Sequence, residues 1–202
     1  MQGHKIKNKN NIVGTGTLII TGEVTNGTPE GETVSIAPTI LQSTVSISGT
    51  FTNSSGTITT NYLTGEGSLV NNDKLVLNVN DEKAFGITSL TGVGVSSITV
   101  TDDAQDEINL NINGKTIQQD KLEFYGDKTL RLVGSSEDSA DLATIQADIY
   151  NYMTGDSLHL KDVRQEGDFV NNTDAVAYFE ENSSVSGQII NNGGTLNIVS
   201  SG

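Results

Sequence analysis

Cysteine and tryptophan are absent from this chain of 202 residues, and proline occurs only 2 times. Without cysteine there can be no disulfide and no thiolate metal site. A chain with no thiol to crosslink prematurely is also compatible with export in an unfolded state. Aromatic residues make up 5% and apolar residues 34%, both low for a globular enzyme of this size. Cations are scarce as well: 11 Lys and Arg stand against 25 Asp and Glu, a formal charge of −14. That balance weighs against nucleic acid and anionic membrane as partners, and it keeps a strand-rich surface soluble. No apolar run approaches the length of a membrane-crossing helix, so direct membrane insertion is not expected. Residues 1–11 are basic and polar and lack the apolar centre of a signal peptide; they read as a flexible lead-in. The low apolar content does not mean disorder, because the apolar residues alternate with polar ones in short runs bounded by glycine.

The 22 glycines and the many asparagines carry the organisation. From Ser186 to Val199 two short strand-like runs, Gln188-Ile189-Ile190 and Thr195-Leu196-Asn197-Ile198, flank the corner Asn191-Asn192-Gly193-Gly194. Asn and Gly tolerate the left-handed backbone that such corners use. The unit returns as Phe51-Thr52-Asn53-Ser54-Ser55-Gly56-Thr57-Ile58, as Leu69-Val70-Asn71-Asn72-Asp73-Lys74-Leu75, and as Phe169-Val170-Asn171-Asn172-Thr173-Asp174. A looser copy opens at Val24-Thr25-Asn26-Gly27. Successive corners lie 27 residues apart (53 − 26), 18 apart (71 − 53) and 20 apart (191 − 171). Periods of about 20 to 30 residues mark solenoids, in which each coil buries its apolar face only against its neighbours. The expected fold is therefore all-β, a parallel β-helix occupying residues 12–202 as a single domain. Asn53, Asn71, Asn171 and Asn191 are its expected structural corners, in left-handed backbone or stacked as side-chain ladders. Ile190, Leu196 and Ile198 are expected in the same interior columns as Phe51, Ile58, Leu75 and Leu77.

Between Asn80 and Asp120 the corner is lost, yet Ile108, Leu110 and Ile112 alternate strictly with Asn109, Asn111 and Asn113, as in a half-buried strand. In 135–152, Leu142, Ile145 and Ile149 recur at helical spacing. Ser136 or Ser139 can cap the start, and Glu137, Asp138 and Asp141 suit its positive end. A short inserted helix is expected there, covering an end of the core.

Motifs of catalysis are few. The run Asp102, Asp103, Asp106 and Glu107 is a weak calcium candidate; it lacks the glycine and ligand spacing of known calcium loops and reads better as a solvated loop. His159 alternates with Leu158 and Leu160 and reads as a surface strand residue, far in sequence from His4. No nucleophile elbow is spelled, paired acids such as Glu180-Glu181 lack the context of sugar hydrolysis, and no cofactor is implied.

The units at residues 187–198 and 49–58 resemble the degenerate repeats of bacterial autotransporter passenger domains and related large surface adhesins. The resemblance covers roughly half of the chain, in its two terminal parts. It implies a parallel β-helix displayed on a Gram-negative cell surface, and the acid-rich, cysteine-free composition fits. The chain reads as an excised piece of something longer. Such passengers serve adhesion or self-association and, less often, host enzymes, so the fold alone does not choose. The expected function is a structural or adhesive surface module, not an enzyme. Its expected partner is a host or bacterial surface protein or glycan, or a second copy. The alternative is a carbohydrate-active β-helix enzyme, a lyase or a tailspike-like hydrolase.

Overall fold

Short runs that alternate apolar with small polar residues can form only short strands, and Gly or Asn at their ends turns the chain before a run lengthens. The computed structural model describes residues 5–28, 31–32, 35–135, 142–155 and 157–199, and it winds these runs into stacked coils. The first coil holds β1 (Lys5–Asn8), β2 (Ile12–Val13) and β3 (Thr17–Ile20). The next holds β4 (Glu23–Asn26), β5 (Thr39–Leu41) and β6 (Thr44–Ile47), followed by β7 (Thr50–Asn53), β8 (Thr57–Thr60) and β9 (Tyr62–Thr64). Then come β10 (Ser68–Asn71) with β11 (Lys74–Val79), and β12 (Ser89–Thr91) with β13 (Val95–Val100) and β14 (Glu107–Asn111). Two coils with long strands follow: β15 (Thr116–Tyr125) with β16 (Thr129–Val133), and β17 (Ala143–Asn151) with β18 (Ser157–Lys161). The last two are β19 (Val163–Glu166), β20 (Phe169–Asn171) and β21 (Val176–Glu180), then β22 (Ser184–Val185), β23 (Ile189–Asn191) and β24 (Thr195–Val199).

Pairing between successive coils is parallel, so the chain is a parallel β-helix. One 16-stranded sheet supplies two sides, whose separate arms merge where β15 and β17 run around the corner without a break. Sheets of five and three strands supply the remaining side. Residues at matching places in successive coils stand over one another. Phe51, Leu69, Leu90, Ile117 and Ile145 form one interior column, and Ile108, Leu130, Leu158, Ala177 and Leu196 form another. Most of these side chains are fully buried, and burying one such Leu, Ile or Phe contributes about 1.5–3 kcal/mol. At the corner before β4, β7 and β10 the coils pack backbone on backbone. A Cβ on Gly49 would lie 2.3 Å from the Gly22 carbonyl oxygen, and one on Gly67 would lie 2.5 Å from that of Gly49.

Three expectations from sequence change here. The helix expected over 135–152 is instead strand β17 from Ala143 to Asn151, with alternate residues buried. The expected caps Ser136 and Ser139, with Glu137, Asp138 and Asp141, lie outside the described residues. Within the basic lead-in, Lys5–Asn8 pairs in register with β4 as a strand of the coil stack. Ile190 stands outward, over Val170 and Tyr150, whereas Ile189 continues the inward column of Leu75, Leu122, Ile149 and Phe169. Leu196 and Ile198 follow Ala177 and Phe179 on the five-stranded side, not the columns of Phe51 or Leu75.

Candidate functional site

The asparagines form two rows on different sides of the coil. Asn8, Asn26, Asn53 and Asn71 end first-side strands; each donates from Nδ2 to the Oδ1 of the next, at 2.8, 2.9 and 2.9 Å. Asn71 passes the row on to Gln119 Oε1 at 2.9 Å, which also accepts from the Ser96 hydroxyl. Asn151, Asn171 and Asn191 end second-side strands and form a second row, at 2.8 and 3.0 Å. The same amides tie down turn carbonyls, as Asn53 does to Gly56 and Asn171 to Ala175. Asn53, Asn71, Asn171 and Asn191 have negative φ; left-handed residues follow three of them, Gly56 after Asn53, Asp174 after Asn171 and Gly193 after Asn191. These rows are buried scaffolding, with Asn26, Asn53, Asn71, Asn151 and Asn171 all 0% exposed.

The acidic run is divided among separate partners. Asp103 accepts from Thr101, Asp106 pairs with Lys128 at 3.1 Å, and Glu107 pairs with Arg131. Asp102 is exposed. Among the described residues no group of three or more His, Asp or Glu is gathered as metal ligands.

A chain of contacts that sequence reading missed runs along the outer face of the five-stranded sheet. Ser157 Oγ lies 2.6 Å from His159 Nε2, and His159 Nδ1 lies 2.6 Å from Glu180 Oε1. Arg131 Nε donates to the other Glu180 oxygen at 3.2 Å. The order hydroxyl, imidazole, carboxylate is that of a hydrolase triad. Here, however, Glu180 is shared with Arg131, the His159 ring is stacked on Tyr178 at 4.4 Å, and Ser157 is only 7% exposed. The contacts join β16, β18 and β21, so they lock three successive coils together. The only sequence signal was Ser157 and His159 at i and i+2, on one face of a strand; Glu180 arrives through register.

The outer surface is most elaborate at β15 and β17. Outward from β17 stand Thr144, Gln146, Asp148 and Tyr150; from β15 stand Gln118, Asp120, Lys121 and Glu123. Two clefts, of about 480 Å³ and about 590 Å³, meet at Gln146 and Glu166 to make one trough. Asp120 and Asp148 line one end, and Lys115 and Thr144 the other. Gln118, Gln146 and Glu166 are in register on adjacent strands, forming one row across the coils. Gln146 Nε2 donates to Glu166 at 2.9 Å, while the Gln118 amide group and the Asp120 carboxylate make no hydrogen bond among the described residues. Lys115 donates to the Ile87 carbonyl at 2.8 Å, and burial lowers its pKa.

On the second side, beyond Asp148, Tyr125 and Tyr152 stack at 4.9 Å with planes 4° apart, and Lys121 covers one face of Tyr150 at 4.1 Å. Burial, with the Glu123 carboxylate beside it, pushes the Tyr125 hydroxyl up to about 12. Comparison with protein families, with curated proteins and with solved structures finds no match.

Proposed function

We propose that this chain is a rigid β-solenoid segment displayed outside a bacterial cell, where it acts by contact: adhesion to a protein or glycan, or self-association. One observation carries the reading. The coils hold outward side chains in straight, fixed rows, and over β15, β17 and β19 such a row lines a trough in which the Gln118 amide group and the Asp120 carboxylate make no hydrogen bond among the described residues. Side chains fixed by register lose little freedom on binding, which favours affinity through modest polar contacts. The resemblance to surface adhesins supports the extracellular setting. Binding of the purified chain to glycans, matrix proteins and immobilised copies of itself tests the proposal. Saturable binding to one of them is expected; a chain inert toward all three classes would contradict it.

A second reading has its own support. Asp120, Asp148 and Glu166 line the same trough, and paired carboxylates are the working groups of sugar hydrolysis. Release of new reducing ends from a bound glycan, abolished by Glu166→Gln, would favour the enzyme over the contact module.

A further inference from the structure

We infer that the trough across β15, β17 and β19 binds a neutral, hydroxyl-rich saccharide chain; this deepens the contact reading and rests on it. The lining supplies the chemistry. Gln118 offers both donors and an acceptor, Gln146 offers its second donor and its acceptor beside the bond to Glu166, and Asp120, with the second oxygens of Glu166 and Asp148, offers acceptors, a set that matches the paired hydroxyls of a sugar ring. Three carboxylates against Lys115, on a chain of −14 overall, disfavour phosphate, sulfate or uronate ligands.

The backbone beneath the trough rules against an extended peptide. β17 is paired on one side with β15 and on the other with β19 and β20, so no strand edge is open for main-chain addition. Polar side chains outnumber apolar ones in the lining, where Val93 and Leu142 are the large apolar residues not buried in the core. Each of the trough's two clefts lies within the range of about 300–1,000 Å³ usual for ligand sites.

Spacing gives the direction of the ligand. Gln118, Gln146 and Glu166 succeed one another at the inter-strand distance of about 4.8 Å. That distance is close to the advance of one pyranose in an extended β-linked chain. A saccharide lying along the solenoid axis would therefore meet one hydrogen-bonding side chain per sugar, with the corner acids at its flank.

Calorimetric titration of the whole chain with oligosaccharides of β-linked glucose, β-linked N-acetylglucosamine and β-linked mannose tests this, with oligogalacturonate as the acidic comparison. Saturable binding to at least one neutral series is expected. Its affinity should rise from the disaccharide to the tetrasaccharide and then level off. Gln146→Ala should weaken binding at least tenfold without changing the melting temperature, and Thr52→Ala, on the same side but distant coils, should leave it unchanged. Moderate salt should not weaken it. No binding by any neutral series, a preference for oligogalacturonate, or full affinity in Gln146→Ala would each overturn the saccharide site. If the chain then bound a matrix protein or its own copies, the contact reading would stand without it; if it bound nothing, both would fall.

Discussion

The coils from β4 to β11 and those from β15 to β18 use the same interior columns but end their strands differently. In the first region each first-side strand is four residues long and stops at a buried asparagine, which gathers the turn carbonyls around it. The outward positions there are mostly Thr, Ser and Val, with few groups able to act together. In the second region Gln119 takes the corner, its side chain reaching back to Asn71, and β15 continues around it for 10 residues with a register shift between Gln118 and Lys121. Two sides of the coil become one strip, and amide, carboxylate, ammonium and phenol groups fall on a common surface. The corner residue thus decides whether a coil only supports its neighbours or also presents a site.

The sharpest way to break this contrast is to remove an asparagine from the first region. Asn53→Leu leaves Asn71 Oδ1 without its partner in a fully buried place, and takes one of the bonds from Asn26 Nδ2 and from the Gly56 carbonyl. A loss of about 2 kcal/mol is expected, from one buried oxygen left unsatisfied at about 1–3 kcal/mol. Asn191→Leu, at the exposed member of the second row, should cost under about 1 kcal/mol. Denaturant unfolding of both variants checks the difference, and equal losses would deny that burial makes the corner.

Acid should act next most strongly, at the corner after β18. Burial raises the Asp162 carboxyl, but hydrogen bonds from the Ser135 hydroxyl and the Asn182 side chain and N–H outweigh it, so its pKa lies below the ordinary value. A lowered carboxyl stabilises the fold above the unfolded pKa of about 4, and that contribution disappears as pH falls through the folded value. Stability of the wild type should decline below about pH 4, and Asp162→Asn should remove part of that decline. An unchanged acid profile in the variant would contradict the assignment.

A smaller effect belongs to the long-strand region. Tyr125 is pushed up to about 12, a stabilisation complete below the unfolded value of about 10 and lost as pH rises through the folded one. An absorbance titration should show Tyr125 titrating late, and less late in Glu123→Gln, where burial still raises it. The smallest effect expected is none: Ser157 should not react with a fluorophosphonate, because its hydroxyl serves a lock between coils. Labelling that depends on His159 would make the Ser157, His159 and Glu180 chain a catalytic site instead.

The alternation and the asparagine spelling made the coil stack legible in the sequence. What they could not convey is which side of the coil a corner belongs to. Asn71 and Asn171 look alike in sequence, each after a large apolar residue and Val, yet they end strands of different sides. The region around Ile145 was misread because its inward positions include Ala143 and Ala147. Counted with Ile145 and Ile149 they give period two; left out as small, they leave Leu142, Ile145 and Ile149 at helical spacing. The trough stayed hidden because Gln118, Gln146 and Glu166 meet only through register, and no spacing of polar residues on separate coils announces it.

Side-chain amide hydrogen exchange, followed by NMR on the intact chain, tests the central contrast most directly, since it reads both regions by the same group. The Nδ2 hydrogens of Asn53 and Asn171, buried and bonded across coils, should exchange orders of magnitude more slowly than the exposed Nε2 hydrogens of Gln118. Exchange of all three at the solvent rate would contradict both the buried rows and the division of labour built on them.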